Sequence, residues 1–290
     1  MALAMTHGTH LPQPEIIELR LLLEAIYQAY GYDFRNYSLA HLKRRVEQRL
    51  ALSGFASISH LQHEILHNPE LLPVILQDLS INVSEMFRDP SFYQALRAEV
   101  LPILETYPSI RIWHAGCAAG QEAYSMAILL HEAELLERST LFVTDFNPRL
   151  VALAQEGRYP LSAIKKYTAN YQATGGSNSF AEYYTVRGNH AEMAAFLRDR
   201  MVFSEHNLAT DGVFGEMHLV VCRNVLIYFD AQLQNRVLGL FAESLCPGGF
   251  LCLGSKETLR FSKHAPIFEA VVERERIYRK RRHQPLEESP

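Results

Sequence analysis

The stretch IRIWHAGCAAGQEAYSMAILL at residues 110–130, followed by TLFVTD at 140–145, decides the fold. Residues 110–115 are a short apolar run with isoleucine and tryptophan, which predicts a strand. Residues 116–120 are all small and predict a tight turn. Residues 121–136 carry helical periodicity, 140–145 predict a second strand, and 148–156 a short helix. Outward from this unit, 201–204, 219–222 and 250–254 predict three more strands. Strands alternating with helices imply an α/β fold with a parallel sheet covered by helices. Residues 158–200 break the alternation with polar, Tyr-rich sequence and the run Gly175-Gly176-Ser177. They predict an insertion containing a small hairpin around 182–202.

Upstream of the sheet the periodicity is helical. Helices are predicted at 15–30, 39–53, 57–67 and 70–79, with Gly31 and Gly54 as stops. The expected organisation is a flexible arm (1–14), a helical domain (15–78), a linker (79–89), a catalytic α/β domain (90–280) and a tail (281–290). Asp89-Pro90 predicts a helix start, with Asp89 as N-cap and proline in the first turn. The second helix carries Lys43, Arg44, Arg45 and Arg49 against one acid, Glu47. In a chain of net charge -4 that cluster is a local anomaly and a candidate docking surface.

The same net charge excludes a chain built to coat nucleic acid or an anionic membrane. Residues 1–14 lack a basic run ahead of an apolar one, so no signal peptide is expected, and no apolar stretch approaches the ~20 residues of a membrane span. The four cysteines form no C-x-x-C pair, and the apolar or small-residue settings of Cys117, Cys222 and Cys252 predict buried, reduced thiols, which suits a cytoplasmic protein.

Polar residues gather where strands end, the place where open α/β sheets bind ligands. The first strand runs into the turn at Gly116. The second ends on Asp145, a carboxylate suited to a ribose diol. The third runs into His206-Asn207-Leu208, and Asn207 can give and accept hydrogen bonds at an adenine edge. The fourth ends at Arg223-Asn224. Glu122 opens the helix after the turn and can hold a cationic amino group. Singly, each has a bland reading: a packing turn, a cap ahead of Asn147-Pro148, a loop start. Gly-x-Gly-x-x-Gly and Gly-Lys-Ser/Thr are both absent, which disfavours NAD and a P-loop nucleotide. S-adenosylmethionine, with no pyrophosphate, fits better.

Three stretches carry a resemblance. NVSEMFR (82–88), GQEAYS (120–125) and CRNVLIYF (222–229) resemble the CheR family of chemoreceptor glutamate methyltransferases, and the likeness extends over about residues 15–280. It implies a Rossmann-like class I methyltransferase sheet with an N-terminal helical domain and a small β-containing insertion. It further implies a cofactor site of Asn82, Ser84, Arg88, Glu122, Asp145, Asn207, Leu208, Arg223 and Asn224, with S-adenosylhomocysteine as product. Ser84 stands where the family usually has threonine; Gln121 and Ala123 replace its usual glutamate and proline. The implied partner is the cytoplasmic helical region of a chemoreceptor or similar sensory protein, and the implied reaction is esterification of glutamate carboxylates. Arg88 and Tyr228 are the candidates beside the reacting groups. A module that binds the cofactor without turnover and regulates a partner is the alternative. His63-Glu64-Ile65-Leu66-His67 matches the H-E-x-x-H zinc helix, but Pro69 breaks the helix at once and no third ligand follows. No metal is expected.

Overall fold

The computed structural model describes residues 13–80 and 84–282. The chain divides into two compact units, Met1–Ser80 and Ile81–Pro290. Most of the expected arm and tail lies outside the described residues.

The first unit contains α1 (Pro14–Tyr30), α2 (Leu39–Ser53), α3 (Ile58–His67) and α4 (Leu72–Leu79). Leu19, Leu22, Leu23 and Ile26 recur at helical spacing on α1 and are fully buried, with Leu42, Val46, Leu61, Ile65 and Leu76 also in the core. Gly31 and Gly54 end α1 and α2 in the left-handed conformation that glycine adopts at no steric cost. Ser57 caps α3 by accepting from the His60 amide at 3.1 Å.

The second unit opens with α5 (Pro90–Ala95), which continues through a π-turn at Leu96–Val100 into α6 (Leu101–Leu104). The π-turn lies beside Pro102, which cannot supply a helical N–H. Then follow β1 (Ile110–Ala115), α7 (Gln121–Glu132), β2 (Ser139–Asp145) and α8 (Pro148–Glu156). The insertion comprises β3 (Arg158–Pro160), α9 (Leu161–Ala173), β4 (Tyr184–Arg187), β5 (His190–Met193) and α10 (Ala195–Arg198). The chain returns through β6 (Met201–Glu205), β7 (Met217–Cys222), α11 (Ala231–Ser244), β8 (Leu245–Leu253), β9 (Phe268–Val272) and β10 (Ile277–Lys280).

The main sheet has seven strands in the order β6-β2-β1-β7-β8-β10-β9. The pairs β1–β2, β2–β6, β1–β7 and β7–β8 are parallel. β10 is antiparallel to both β8 and β9. This is an α/β, Rossmann-like sheet, mostly parallel. The antiparallel pair β9–β10 is additional to the strands predicted above: its runs are short and interrupted by Glu273-Arg274-Glu275, which hides their period.

Chain order reverses between β1 and β7. The path runs outward from β1 through β2 to β6, then returns to the other side of β1 for β7 and β8. That reversal opens a crevice at the carboxyl ends of β1 and β7. Trp113, fully buried on β1, ties the centre together: its indole N–H donates to Thr144 Oγ1 at 2.8 Å, and His206, Phe214 and Phe241 meet its ring edge to face.

The insertion forms its own antiparallel sheet, β3-β5-β4. The hairpin is β4–β5 alone, and the strand predicted at 201–204 is edge strand β6 of the main sheet. Glu132, at the end of α7, anchors the insertion to the core. Its carboxylate is almost fully buried and accepts from the hydroxyls of Tyr171 and Tyr183, while Arg97 pairs with its second oxygen. Removing it strands two buried hydroxyls and a cation. Glu132→Ala should therefore destabilise the second unit by about 2–4 kcal/mol, measured as a lowered urea midpoint, and a change within error would show that the cluster contributes nothing net.

Candidate functional site

Four strand ends meet the crevice. After β1 the chain turns through Gly116 (φ 74°), Ala118 (φ 49°) and Gly120 (φ 86°). A Cβ on Gly116 would stand 2.6 Å from a Val225 methyl, and one on Gly120 would stand 2.8 Å from the Ala154 Cβ. Both contacts are closer than side-chain atoms can approach, so these two positions require glycine. Gly120 leads into α7, whose first turn carries Glu122.

Asp145 ends β2 in a buried position. One oxygen accepts from the Ala118 amide and the other from the Asn147 amide, each at 3.0 Å. Burial pushes its pKa up to about 6, against the pull of backbone amides of Asn147, Ala118 and Phe146. Beyond β6, Asn207 closes a loop: its amide donates to Asp211, its side-chain oxygen accepts from Ala209 N at 3.0 Å, and Arg236 binds the Leu208 carbonyl at 2.6 Å. The buried Nδ1 of neighbouring His206 has no hydrogen-bond partner among the described residues.

Arg223, at the end of β7, turns its guanidinium into the protein. It reaches Asp89 at 2.8 Å, Glu122 at 3.2 Å and the Arg88 carbonyl at 3.5 Å, and lies over the Phe92 ring at 3.9 Å. Asp89 holds the N-cap position of α5, but its carboxylate makes no cap bond. The expected N-cap role is therefore corrected: with φ at 57°, the side chain is drawn to Arg223 instead. Burial raises the Glu122 pKa, but His114 and Arg223 together outweigh it and hold the carboxyl below its ordinary value.

Two groups of positioning contacts were not visible in the sequence. Glu257, buried after β8, accepts from the amides of Gly254 (2.5 Å), Asn224 (3.1 Å) and Val225 (2.8 Å). It fixes Asn224, whose φ is 63°. The segment carrying Arg88 is held by Ser125 Oγ, which accepts from Phe87 N at 2.9 Å, and by Asn170 of the insertion, which donates to the Met86 carbonyl at 2.9 Å. Backbone-directed side chains leave no motif; only the crowding of polar residues at strand ends could have hinted at Glu257. Ser84 is half-buried at the start of this segment, and the expected cofactor residue Asn82 lies outside the described residues. The H-E-x-x-H helix holds its histidines stacked, ring centres 4.2 Å apart, and among the described residues no group of three or more His, Cys, Asp or Glu is arranged for a metal ion.

Comparison with known proteins gives the same architecture a family. Residues 82–276 match the model of the CheR methyltransferase, SAM binding domain, and residues 17–80 that of the CheR methyltransferase, all-alpha domain. The chain belongs to the CheR methyltransferase family. It is 52% identical over 264 residues to "Putative methyltransferase Cher3" of Pseudomonas putida, an alignment covering 91% of this chain and 97% of that one. It is 30% identical to an uncharacterized 104.1 kDa protein of Rhodobacter capsulatus, covering 82% of this chain but 25% of that one, and 29% identical to the chemotaxis protein methyltransferase of Listeria monocytogenes, covering 79% and 85%. Among solved structures, the glycopeptide N-methyltransferase MtfA complexed with sinefungin aligns at a TM-score of 0.37 and 12% identity, covering 65% of this chain and 57% of that one.

This CheR-family chain is thus an S-adenosylmethionine-dependent methyltransferase, and the crevice fits that cofactor. Asp145 accepts the backbone amides of Ala118, Asn147 and Phe146, and the roughly four acceptor sites of a carboxylate leave one for a ribose hydroxyl. Glu122 is ionised and can face an ammonium group.

Asp145 generates a pH prediction. In the free protein its pKa lies above the unfolded value of 3.8, so its charge costs stability as pH rises from about 4 to about 6. Donors from a ribose favour the charged form and lower the pKa in the complex. Affinity for S-adenosylhomocysteine should then be pH-independent above about 6 and weaken by up to about tenfold per unit below it. Calorimetry across pH 4.5–7.5 should show this slope in the wild type and a flat profile in Asp145→Asn. A slope surviving in the variant removes Asp145 from the site.

Proposed function

We propose that this chain is a cytoplasmic protein-glutamate O-methyltransferase. Its substrate would be glutamate side chains in the helical region of a chemoreceptor or related sensory protein. The carrying observation is the Met86–Asp89 segment. Its backbone is pinned by Ser125, Asn170 and Arg223, while the half-buried Arg88 guanidinium has no ion pair or hydrogen bond among the described residues. A cation fixed at its base and unpaired at its tip, on the same segment as Ser84, suits an incoming carboxylate. The chemotaxis role printed for the Listeria relative supports that class of substrate.

S-adenosylmethionine supplies a methyl group already activated on sulfur. A glutamate carboxylate is ionised at neutral pH, so no side chain need remove a proton and no Lewis acid is called for. The protein's work is alignment and exclusion of water. Asp145 would hold the ribose, Asn207 and Leu208 the adenine end, and Glu122 the ammonium. Asn224 and the turn at Gly116 would line the floor, with Ser84 beside them. Arg88 would orient the acceptor oxygens. Tyr228 follows Asn224 on a 3-10 turn, Leu226–Tyr228, and stands as the second candidate near the reacting groups.

Docking through α2 belongs to the same proposal, but the structure distributes its charges unevenly. Lys43 pairs with Glu15 at 2.7 Å and Glu47 at 3.6 Å, Arg49 binds both oxygens of Asp78, and Arg45 closes the end of α4 through the carbonyls of Asp78 and Ser80. Arg44 is exposed, and its charge can be tested without breaking any of these pairings.

Labelled cofactor incubated with receptor-containing membranes should label a protein, and mild alkali should release the label as methanol. Arg88→Ala should lower kcat/KM by about 100-fold, as expected when a charged group aimed at the reacting oxygens is lost. Chelator-treated enzyme should retain its rate. Label that survives alkali would assign another acceptor, and tight product binding without turnover would favour the regulatory alternative.

A further inference from the structure

The loop from Ser255 to His264 follows β8 at the carboxyl edge of the sheet, beside the β7 end that carries Asn224. It is held at three places. Glu257 binds the amides of Gly254, Asn224 and Val225. Leu259 is buried. Asn235 of α11 accepts from Ser262 Oγ at 2.9 Å and from Lys263 N at 3.1 Å. Between these anchors the loop turns outward Lys256, Arg260, Phe261 and Lys263, all exposed. Phe261 is 87% exposed, more than any other exposed large hydrophobic of the described residues, and the Arg260 guanidinium stands 5.9 Å from its ring.

Such exposure gains nothing for the fold, since the ring is left as wet as in the unfolded chain. The loop's single acid, Glu257, is buried with both oxygens committed to backbone amides, so it does not neutralise the surface. Burial and Lys263 lower the His264 pKa, so the loop's cations are Lys256, Arg260 and Lys263, with Arg260 beside the ring. A loop anchored at three places that exposes one large aromatic and three cations, in a chain of net charge -4, is complementary to a helix with an apolar stripe flanked by glutamates.

We propose that residues 255–264 form a docking surface on the catalytic unit for an acidic amphipathic helix, the segment that carries the target glutamate. The inference rests on the protein-carboxylate reading above and adds to it a contact beside the crevice itself. Phe261 enters the apolar stripe of the helix, and Lys256, Arg260 and Lys263 pair with its glutamates. Because Glu257 joins the loop to Asn224, the bound helix is held against the rim where its carboxylate must enter.

The test uses the full chain saturated with S-adenosylhomocysteine and a fluorescent helical peptide of about 20 residues, long enough to hold a helix, with a leucine stripe flanked by glutamates. Anisotropy should report binding that weakens with salt and is lost when the glutamates are replaced by glutamine. Phe261→Ser should raise the peptide Kd about tenfold, as for a central aromatic anchor. The combined Lys256→Glu, Arg260→Glu and Lys263→Glu variant should raise it at least about as much, through like-charge contact. Neither variant should change affinity for S-adenosylhomocysteine, which shows that the unit remains folded. Unchanged peptide affinity in both, or a wild type that binds the glutamine peptide equally well, overturns the docking surface. Loop-dependent binding with no alkali-labile label in membranes would instead sink the methylation reading and leave the surface standing.

Discussion

The structure around the crevice depends on one buried cation. Arg223 closes β7 and binds carboxylates from two other places in the chain, Glu122 at the start of α7 and Asp89 at the start of α5. Burial disfavours its charge, and the surrounding Glu122, Tyr93 and Asp89 groups outweigh that and raise its pKa. A buried ion pair is weak evidence for stability, since its desolvation offsets most of its attraction. Its contribution here is geometric. Its two terminal nitrogens reach both carboxylates only when β7, α7 and α5 are in register, and that register sets the crevice at the point where strand order reverses. Together with His114 this cation holds Glu122 ionised, and it draws Asp89 away from a cap role and reaches the Arg88 carbonyl.

Much of this was legible in the sequence, for definable reasons. The strands at 110–115, 140–145 and 219–222 are continuous apolar runs because parallel strands are covered on both faces. Gly116 and Gly120 stood out because the turn between β1 and α7 has no room for a side chain. What was hidden was made of side chains that serve the backbone. Glu257 looks like an ordinary polar residue in a loop until its oxygens are found on three amides. Asn170 and Ser125 carry no periodic signal, yet they hold the segment bearing Arg88. Strands β9 and β10 were missed because each spans only a few residues and their neighbours are charged.

The basic helix shows the same limit from the other side. Charge counting treated Lys43, Arg44, Arg45 and Arg49 as one patch. In the fold, two of them serve the adjoining helix end. Arg45 supplies donors to carbonyls that α4 leaves unpaired at its terminus, as any helix does, and Arg49 meets Asp78 on the same turn. Composition reports how many charges a helix has, whereas only packing reports how many face outward.

Backbone conformation marks the same place independently. Among the described residues, six non-glycine positions have positive φ: Phe87, Asp89, Ala118, Glu134, Asn224 and Arg276. Four of the six belong to the three segments that converge on the crevice. Each costs on the order of 1–3 kcal/mol unless its surroundings over-determine it, and here they do. Phe87 donates to Ser125 and packs against Tyr93, Tyr171 and Phe180. Asp89 is held by Arg223, Ala118 by the Asp145 carboxylate, and Asn224 by Glu257. Every strained residue at the crevice thus has a side chain from a different element fixing it, and three of those four fixing groups are charged. A site assembled this way is set before any ligand arrives. That suits methyl transfer, in which the sulfur, the methyl group and the acceptor atom must be held in line.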